Sequence, residues 1–411
     1  MAMSSSASAL PAPETASRPV RPPGAPVRPL KIGLVSDCYV PRLGGIEMQV
    51  HDLAQRLQGA GHDVVVITPT PGPELIDGIR VHRMDVPLLP FDIPFTPATF
   101  RGVSELLQRE RVDVAHFHGG IASPLAFIAA ASAQADGIPT VITTHCMWSY
   151  AAPVFALLDR RFHWSRWPVV LSAVSDVAAA PIRKIAGPDV DVAVVPNGID
   201  NATWAINPLP RDAGTVTLVS VMRLAPRKRP RHLLKMIQRV HERLPADIRL
   251  KVQIIGEGPE RASLEKFIQT HDLTDVVELV GRRTRDEIRT AFARADVFVA
   301  PANLESFGIA ALEARCAGLP VVAMARTGIR EFVANGREGL LAQSDRDMVE
   351  QLLRLILDPE LRQRIAAHNR SVASNVDWSR VVESNVEVYR RAIDLRDVAA
   401  GRAPGSARAT G

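Results

Sequence analysis

The sequence is poor in cysteine, with three in 411 residues. Cys38, Cys146 and Cys316 lie far apart and form neither a paired pattern nor the spacing of a zinc site. This excludes a disulfide framework and a structural metal cluster built on cysteine. Isolated cysteines suit a reducing compartment, so we predict a cytoplasmic protein.

Long apolar runs are also absent. No segment approaches the roughly 20 apolar residues that a membrane-spanning helix requires. Residues 1–29 are rich in Ser, Ala, Pro and Arg and lack the apolar centre of a signal peptide, which predicts a disordered leader. Residues 399–411 predict a disordered tail. We expect a protein that is soluble or that meets the inner face of a membrane only at its surface.

Charge of one sign does not dominate the chain. Lys and Arg number 49 and Asp and Glu 44, so the net charge is +5, and no long basic block occurs. This balance argues against nucleic acid as a partner and is compatible with phosphate-bearing ligands.

What the sequence does contain is a series of short apolar runs, each followed by an amphipathic segment. The chain has 46% hydrophobic residues and exceeds the usual size of one domain, which predicts two domains. The pattern is typical of parallel strands that alternate with helices in an α/β fold. The clearest strand candidates lie at 30–36, 62–69, 112–119, 139–148 and 216–222. We place the domains at 30–200 and 201–376.

The segment from Val297 to Val322 carries the strongest candidate site. A short apolar strand ends at a turn, a helix is predicted to start near Ser306, and Glu305 stands at the carboxyl end of the strand. Ligands bind at such strand ends in open α/β sheets. The amides of Ser306, Phe307 and Gly308 are predicted to be free first-turn donors, which suit a phosphate.

A second carboxylate, Glu313, follows on the same predicted helix. Together with Glu305 and the free amides it predicts a site for a sugar nucleotide. The alternative is that Glu305 only complements the helix dipole and that Glu313 is solvated.

Basic residues follow the strand at 216–222. Arg223 and Lys228 lie between that strand and the next predicted helix, a placement that suits a diphosphate. A solvated surface charge run is the alternative.

Two glycines, Gly44 and Gly45, precede the first predicted helix. They allow the backbone to approach a ligand closely, although a plain tight turn explains them equally well. The third glycine of a dinucleotide fingerprint is missing from this turn.

Three histidines lie at predicted strand ends. His116 and His118 share one strand face, but no third ligand stands at a recognisable spacing from them, so a metal site is not predicted. We interpret these two as hydrogen-bonded structural residues. His145 lies near the end of the strand predicted at 139–148.

The spacing of Glu305, seven residues and Glu313, followed by the strand AGLPVV, resembles the signature of the retaining glycosyltransferases of family 4. That resemblance implies the GT-B fold, in which two Rossmann-like parallel-sheet domains face each other across a cleft. It also implies that Glu305 sits beside the donor sugar and that Glu313 holds the ribose hydroxyls.

The resemblance assigns further roles along the chain. Arg223 and Lys228 become the clamp on the diphosphate, and His145 lies near the donor sugar. Gly44 and Gly45 face the donor phosphate and sugar. The turns at Gly256 and Arg282 take the nucleobase. The segment 86–107 meets the acceptor, and a helix at 377–398 crosses back to the first domain, with crossings near Ile199 and Val376.

Three residues depart from the family pattern. Met222 and Arg229 stand where glycines flank the Arg and Lys, and Thr327 stands where the first of two glycines is usual. Because a β-branched residue disfavours positive φ, Thr327 is expected to narrow its loop near the sugar.

The function implied is that of a retaining glycosyltransferase. It would move a hexose-type sugar, with GDP-mannose slightly favoured, from a nucleoside diphosphate to a hydroxyl on a glycan, lipid or small molecule. The resemblance implies no cofactor and no metal, since the nucleotide sugar is a substrate. Two alternatives stay open at this point: a sugar-nucleotide epimerase, which would need no acceptor, and a catalytically silent sensor or scaffold.

Overall fold

The structure is a computed structural model that describes residues 28–42, 44–85, 88–89, 93–94, 97–120, 123, 125–148, 150–210, 212 and 214–402. The predicted leader lies outside this part except for residues 28 and 29. Of the predicted tail, 399–402 are described and 403–411 are not. Most of the predicted acceptor segment before 97 also lies outside.

The first sheet has eight strands in the order β10-β9-β8-β7-β1-β2-β4-β3. All neighbours are parallel except β3 and β4. The bounds are β1 Lys31–Ser36, β2 Asp63–Thr68, β3 Leu75–Ile76, β4 Ile79–Arg83, β5 Leu88–Leu89, β6 Ile93–Pro94, β7 Val114–Gly119, β8 Thr140–Thr144, β9 Val169–Ala173 and β10 Val192–Val194, where β5 and β6 form a separate small hairpin.

The second sheet has six parallel strands in the order β13-β12-β11-β14-β15-β16. Its strands are β11 Thr215–Val221, β12 Arg249–Ile255, β13 Val277–Gly281, β14 Val297–Ala300, β15 Val321–Met324 and β16 Gly339–Ala342.

Helices cover both sheets, so the strands are buried on two faces and consist of nearly continuous apolar runs. The two parallel sheets confirm the predicted fold class. The helices are α1 Gly45–Gly59, α2 Pro97–Arg109, α3 Ala130–Ala135, α4 Ala152–Phe162, α5 Asp176–Ala186, α6 Asn201–Trp204, α7 Pro230–His241, α8 Arg261–Thr270, α9 Arg285–Arg294, α10 Ile309–Cys316, α11 Asp345–Leu357, α12 Pro359–Ser371 and α13 Trp378–Ala399.

Each sheet has a point where the strand order reverses. In the first sheet β1 lies between β2 and β7, and in the second β11 lies between β12 and β14. Crossovers therefore leave in opposite directions and open a crevice at the carboxyl ends of these strands. Arg223 follows β11 and Glu305 follows β14, so both candidate residues lie at the crevice of the second sheet.

The last helix, α13, packs on the first sheet although it follows the second one in sequence. Trp378, Val381 and Tyr389 are buried within the apolar core of that sheet. The Tyr389 hydroxyl lies 2.9 Å from His116 Nδ1 in β7. The ends of α13 differ from the predicted 377–398 by one residue each.

The chain passes between the two sheets twice, and the two passages lie side by side. Ile199 N donates to Val376 O at 3.1 Å, and Trp378 N donates to Ile199 O at 3.1 Å. The segments predicted to cross near Ile199 and Val376 are thus paired like strands.

Deleting 377–411 is expected to destabilise the protein strongly. The deletion exposes the apolar face that α13 covers, and each large buried side chain that is lost removes about 1.5–3 kcal/mol. The midpoint of thermal unfolding should fall by about 10 °C or more. Deleting only 403–411 is the matched control and should leave the midpoint unchanged. Equal midpoints for the two truncations would contradict the structural role of α13.

Candidate functional site

The loop after β14 differs from its prediction. The helix expected near Ser306 begins at Ile309. Gly308 precedes it with φ 92°, a left-handed conformation that interrupts the helix and that glycine adopts readily. Ser306 is also held by the first sheet: its hydroxyl donates to His145 O at 2.5 Å, and its carbonyl accepts from Ser175 Oγ. The prediction of Ser306 as a helical residue was wrong. Gly308 and the contacts with His145 and Ser175 keep Ser306 outside the helix, and contacts with the first sheet cannot be predicted from this segment alone.

The backbone amides of this loop are nevertheless unbonded. From Ser306 to Ala310, no amide donates a hydrogen bond to any residue that the structure describes. The donors of Ile309 and Ala310 belong to the first turn of α10, and those of 306–308 lie just before it. The Phe307 side chain packs against Phe332, and the residue as a whole is buried. Free amides next to a helix start suit an anion.

Gly328 packs closely against the backbone of this loop. Its amide donates to Glu305 O at 2.9 Å, and a Cβ atom at this position would lie 1.9 Å from Ser306 O. The close approach therefore requires glycine at 328. Thr327 has φ −101° and is buried, with its hydroxyl bonded to Met324 O at 2.7 Å. The expected conflict between Thr327 and positive φ does not arise.

Lys228 and Glu305 form an ion pair at the carboxyl edge of the second sheet. Their side chains keep 26% and 18% of their exposure, so both are accessible to a ligand. Arg223 is exposed, and its guanidinium makes no ion pair with the described residues. The two predicted phosphate ligands and the predicted sugar-side carboxylate thus lie at the ends of neighbouring strands, β11 and β14.

Arg229 takes the place of the usual glycine without changing the backbone that glycine favours. Its φ is 60°, in the left-handed region. Its side chain donates to Pro301 O at 3.0 Å and to Asp345 Oδ2 at 2.6 Å. These bonds offset the cost of the unusual conformation and fix the turn that carries Lys228.

Glu313 lies where the first sheet meets the second. Burial raises the pKa of its carboxyl to about 8, although the nearby Arg285 opposes the shift. Arg285 itself bonds Asp52 of α1 at 2.7 Å. Gly45, the first residue of α1, faces Ile309: a Cβ at 45 would lie 3.5 Å from the Ile309 side chain.

Gly44 is the residue before α1 and has extended backbone geometry. A Cβ at this position would lie 2.3 Å from the Glu47 carboxylate, which pairs with Arg42 at 3.1 Å. Gly44 and Gly45 therefore lie at the helix start, with Gly45 inside the helix rather than before it.

The two predicted nucleobase positions flank neighbouring strand ends. Gly256 follows β12 with φ 138°, and a Cβ there would lie 1.9 Å from Met222 O. Its amide donates to Gly281 O at 2.8 Å. Arg282 follows β13 with an exposed side chain. Both residues lie at the same edge of the sheet as Arg223.

The three histidines come together beneath the first sheet's carboxyl edge. His118 Nδ1 and His145 Nε2 are 3.0 Å apart, and the rings of His116 and His118 are 3.9 Å apart. Burial lowers the pKa of His116 to about 3 and of His145 to about 4, so both rings are neutral. Among the described residues no group of three side chains is arranged to hold a metal ion. The backbone carbonyl of His145 accepts a hydrogen bond from Ser306, in the loop that also contains Glu305.

Two contacts between the sheets have no sequence signal. Ser175 caps α5 and also bonds Ser306, and Glu331 Oε1 accepts from Asp176 N at 2.9 Å. Such pairs depend on how the sheets pack, which local patterns do not encode. They show that the start of α5 contacts the loops of the second sheet beside Glu305.

Asp37 is a further candidate that sequence patterns alone did not indicate. It follows β1, the central strand at the crevice of the first sheet. Burial raises the pKa of its carboxyl to about 6, with the Ser123 hydroxyl opposing the shift. Its two carboxylate oxygens make no hydrogen bond of ordinary geometry with the described residues. Its position directly after a central strand is the signal that could have identified it.

Comparison with known families accounts for most of the described chain, with β1 and α13 outside the matched residues. The family described as Glycosyltransferase Family 4 matches residues 43–203, and the family described as Glycosyl transferases group 1 matches residues 205–372. The boundary between the matches falls at the segment that joins the two sheets.

Individual relatives match over similar lengths. A phosphatidyl-myo-inositol mannosyltransferase from Mycolicibacterium smegmatis is 31% identical over 373 residues, covering 88% of this chain and 93% of the relative. One component of the phosphatidylinositol N-acetylglucosaminyltransferase from Homo sapiens is 27% identical over 377 residues, covering 88% and 76%.

Solved structures share the fold. Sucrose-phosphate synthase from Thermosynechococcus elongatus superposes with a TM-score of 0.72 at 19% identity, covering 88% of this chain and 98% of that one. Anabaena HepE in complex with UDP and glucose gives 0.67 at 18% identity, covering 87% and 98%. With two family matches and a relative above 30% identity, the chain belongs to the group 1, or family 4, glycosyltransferases and has their GT-B fold.

Proposed function

We propose that this glycosyltransferase is a retaining enzyme that moves a hexose-type sugar, with GDP-mannose as the favoured donor, to an acceptor hydroxyl. The observation that carries the proposal is the Lys228–Glu305 ion pair, which lies beside the unbonded amides of 306–310. A cation, a carboxylate and free amides at one strand edge are what the diphosphate and sugar of such a donor need.

Each group has a separate role in this proposal. Arg223, Lys228 and the loop amides hold the diphosphate and stabilise the charge that develops on it as the sugar leaves. Glu305 exchanges its contact with Lys228 for one with the donor sugar and stabilises the positive charge at the reacting carbon. Glu313 accepts from the ribose hydroxyls. The carbonyl of His145 helps to hold the Ser306 end of the loop.

The comparisons support the choice of donor and acceptor. A relative at 31% identity is a mannosyltransferase, which favours mannose as the sugar. HepE, a structural neighbour, has been solved with UDP-glucose, so uridine nucleotides are the competing donors. The two sequence relatives described above carry phosphatidylinositol in their names, which favours a hydroxyl of a lipid headgroup as acceptor. A glycogen synthase from Mycobacterium tuberculosis at 28% identity makes a glycan hydroxyl the competing acceptor. We place the enzyme in the cytoplasm.

A donor panel tests the proposal. Purified protein is incubated separately with GDP-mannose, UDP-glucose, UDP-N-acetylglucosamine and ADP-glucose, with and without phosphatidylinositol, and the products are read by NMR. We expect GDP-mannose to turn over fastest, and the product to keep the anomeric configuration of the donor. Inverted configuration would contradict a retaining reaction. Binding without any turnover would instead identify a sensor, and free sugar with changed stereochemistry an epimerase.

Turnover is expected to survive removal of divalent ions. Arg223 and Lys228 supply positive charge at the place where a metal would otherwise neutralise the diphosphate. Adding EDTA should therefore lower the rate by less than about twofold, measured as nucleoside diphosphate release. A rate that collapses with EDTA and returns with Mn²⁺ would overturn this expectation.

A further inference from the structure

One ion pair joins the two sheets beside Glu313. Arg285, the first residue of α9, donates from both of its terminal nitrogens to Asp52 of α1, with Nη2 to Oδ2 at 2.7 Å and Nη1 to Oδ1 at 3.4 Å. A two-point contact between a guanidinium and a carboxylate fixes orientation as well as distance. Because α1 packs on the first sheet and α9 on the second, the pair exists only while the sheets lie against each other.

Three helices meet at this pair. Arg285 starts α9 shortly after the turn at Gly281 and Arg282, the predicted nucleobase position. Glu313, the predicted ribose ligand, belongs to α10, which follows the loop at 306–310. Asp52 and Arg285 are both close enough to Glu313 to act on the charge of its carboxyl. The pair therefore lies next to the part of the candidate site that would hold the nucleoside.

The carboxylate of Glu313 makes no side-chain hydrogen bond with the residues that the structure describes. Burial raises the pKa of this carboxyl to about 8, the Arg285 guanidinium opposes the shift, and the Asp52 carboxylate adds to it. Both terminal nitrogens of Arg285 bond Asp52, so the guanidinium stabilises charge on Glu313 without occupying its oxygens. Those oxygens remain available to hydroxyl groups of a ligand.

We infer that Asp52 and Arg285 are positioning residues for the donor: their ion pair closes the first sheet on the nucleoside part of the site and keeps the guanidinium beside Glu313. Asp52 supplies the contribution of the first sheet, and no sequence pattern indicated it. The action of Glu313 on the ribose hydroxyls rests on the proposed function. The closure of the sheets by Asp52 and Arg285 does not.

Burial distinguishes this pair from an ordinary surface ion pair. The Asp52 side chain keeps 16% of its exposure and the Arg285 side chain 46%. Exposed pairs contribute little because solvent screens them, and a partly buried pair is screened less. Arg243 and Glu350 make the same two-point contact, at 2.6 and 3.0 Å, but both are half exposed and both belong to the second sheet. They form the matched control pair.

A double-mutant cycle on nucleotide affinity tests the inference. The variants of the full-length protein are Asp52→Asn, Arg285→Gln and both together, and calorimetry with GDP and UDP measures the dissociation constants. We expect each single variant to bind about three- to tenfold more weakly. The double variant should lose no more than the weaker-binding single variant, because either change already breaks the pair. Asp52→Glu keeps the charge and should bind within about twofold of the parent.

The control variants Arg243→Gln and Glu350→Gln should bind like the parent, and circular dichroism confirms that each variant is folded. None of these measurements requires lipid, and no helix in the described ranges is long and apolar enough to cross a membrane.

Two further readouts separate a positioning role from a folding defect. In donor hydrolysis the single variants should raise KM while kcat stays within about twofold, because the diphosphate separates the ribose from the reacting carbon. The pH dependence of GDP affinity should shift in opposite directions. Binding strengthens in the parent as Glu313 ionises near pH 8, at lower pH in Asp52→Asn and at higher pH in Arg285→Gln. Glu313→Gln is the reference for titration of the diphosphate itself.

Several results would overturn the inference. These are additive losses of affinity in the cycle, equal losses in the control variants, or pH profiles that do not shift in opposite directions. An additive cycle in a parent that transfers sugar would reject the ion pair as a positioning device and leave the proposed function standing. A coupled cycle in a parent that binds nucleotide but transfers no sugar would refute the proposed function and leave the role of Asp52 and Arg285 in binding.

Discussion

Replacing Glu305 with glutamine is expected to lower the rate of sugar transfer by roughly 10², while nucleoside diphosphate binding stays within a few-fold of the parent or tightens. The glutamine keeps the shape of the side chain and removes the charge that we propose faces the reacting sugar carbon. One preorganised electrostatic contact is worth about that factor. Binding is spared because the loss of Glu305 charge frees Lys228, its present ion-pair partner, for the phosphates.

Calorimetry with GDP and UDP measures binding, and release of nucleoside diphosphate from the preferred donor measures turnover. Glu350→Gln is the control: Glu350 is an exposed carboxylate paired with Arg243 at 2.6 Å on the outer surface of the second sheet, and its loss should affect neither quantity. Near-full activity in the Glu305 variant would make Glu305 a structural residue whose task is to hold Lys228.

Replacing Lys228 with alanine is expected to weaken nucleoside diphosphate binding by roughly 10- to 100-fold, the range for one charge-assisted hydrogen bond. Turnover should fall as well, since the same contact strengthens as the leaving group gains charge. The effect should exceed that of Arg223→Ala. The reason is that Lys228→Ala also leaves the Glu305 carboxylate unpaired and close to the phosphates.

A double variant separates these two causes. Lys228→Ala combined with Glu305→Gln should bind nucleoside diphosphate better than Lys228→Ala alone, and yet transfer no sugar faster. Arg227→Ala removes an exposed cation from the same turn and is the matched control, with parent-like binding expected. If Glu305→Gln changes the affinity by the same factor with and without Lys228, the Lys228–Glu305 contact plays no part in donor binding.

The sheets were predictable from sequence because buried parallel strands leave a direct signal. The apolar runs at 30–36 and 216–222 became β1 and β11 within one residue at each end. Strand ends were predicted less accurately where an apolar run continues past the strand. The run at 139–148 contains a strand that ends at Thr144, and Trp148 in the same run lies outside the strand and stacks on Phe155.

The site was only partly predictable. Its residue types and order along the chain pointed to Glu305 and Lys228, but their direct contact joins two strand ends that are adjacent only in the folded sheet. The helix start near Ser306 failed for the same reason, since His145 and Ser175 of the first sheet hold that residue. Patterns within one segment do not report contacts made by another.

The paired passages at Ile199 and Val376 limit how the enzyme can move. Two connections that are hydrogen-bonded to each other act as one axis, so the sheets are expected to rotate about a line rather than drift apart. The contacts Ser306–His145, Glu331–Asp176 and Arg285–Asp52 all span the gap between the sheets. Rotation about one line would separate these three contacts together. If the loop at 306–310 binds the donor as proposed, we expect release of the nucleoside diphosphate to require that Ser306 part from His145.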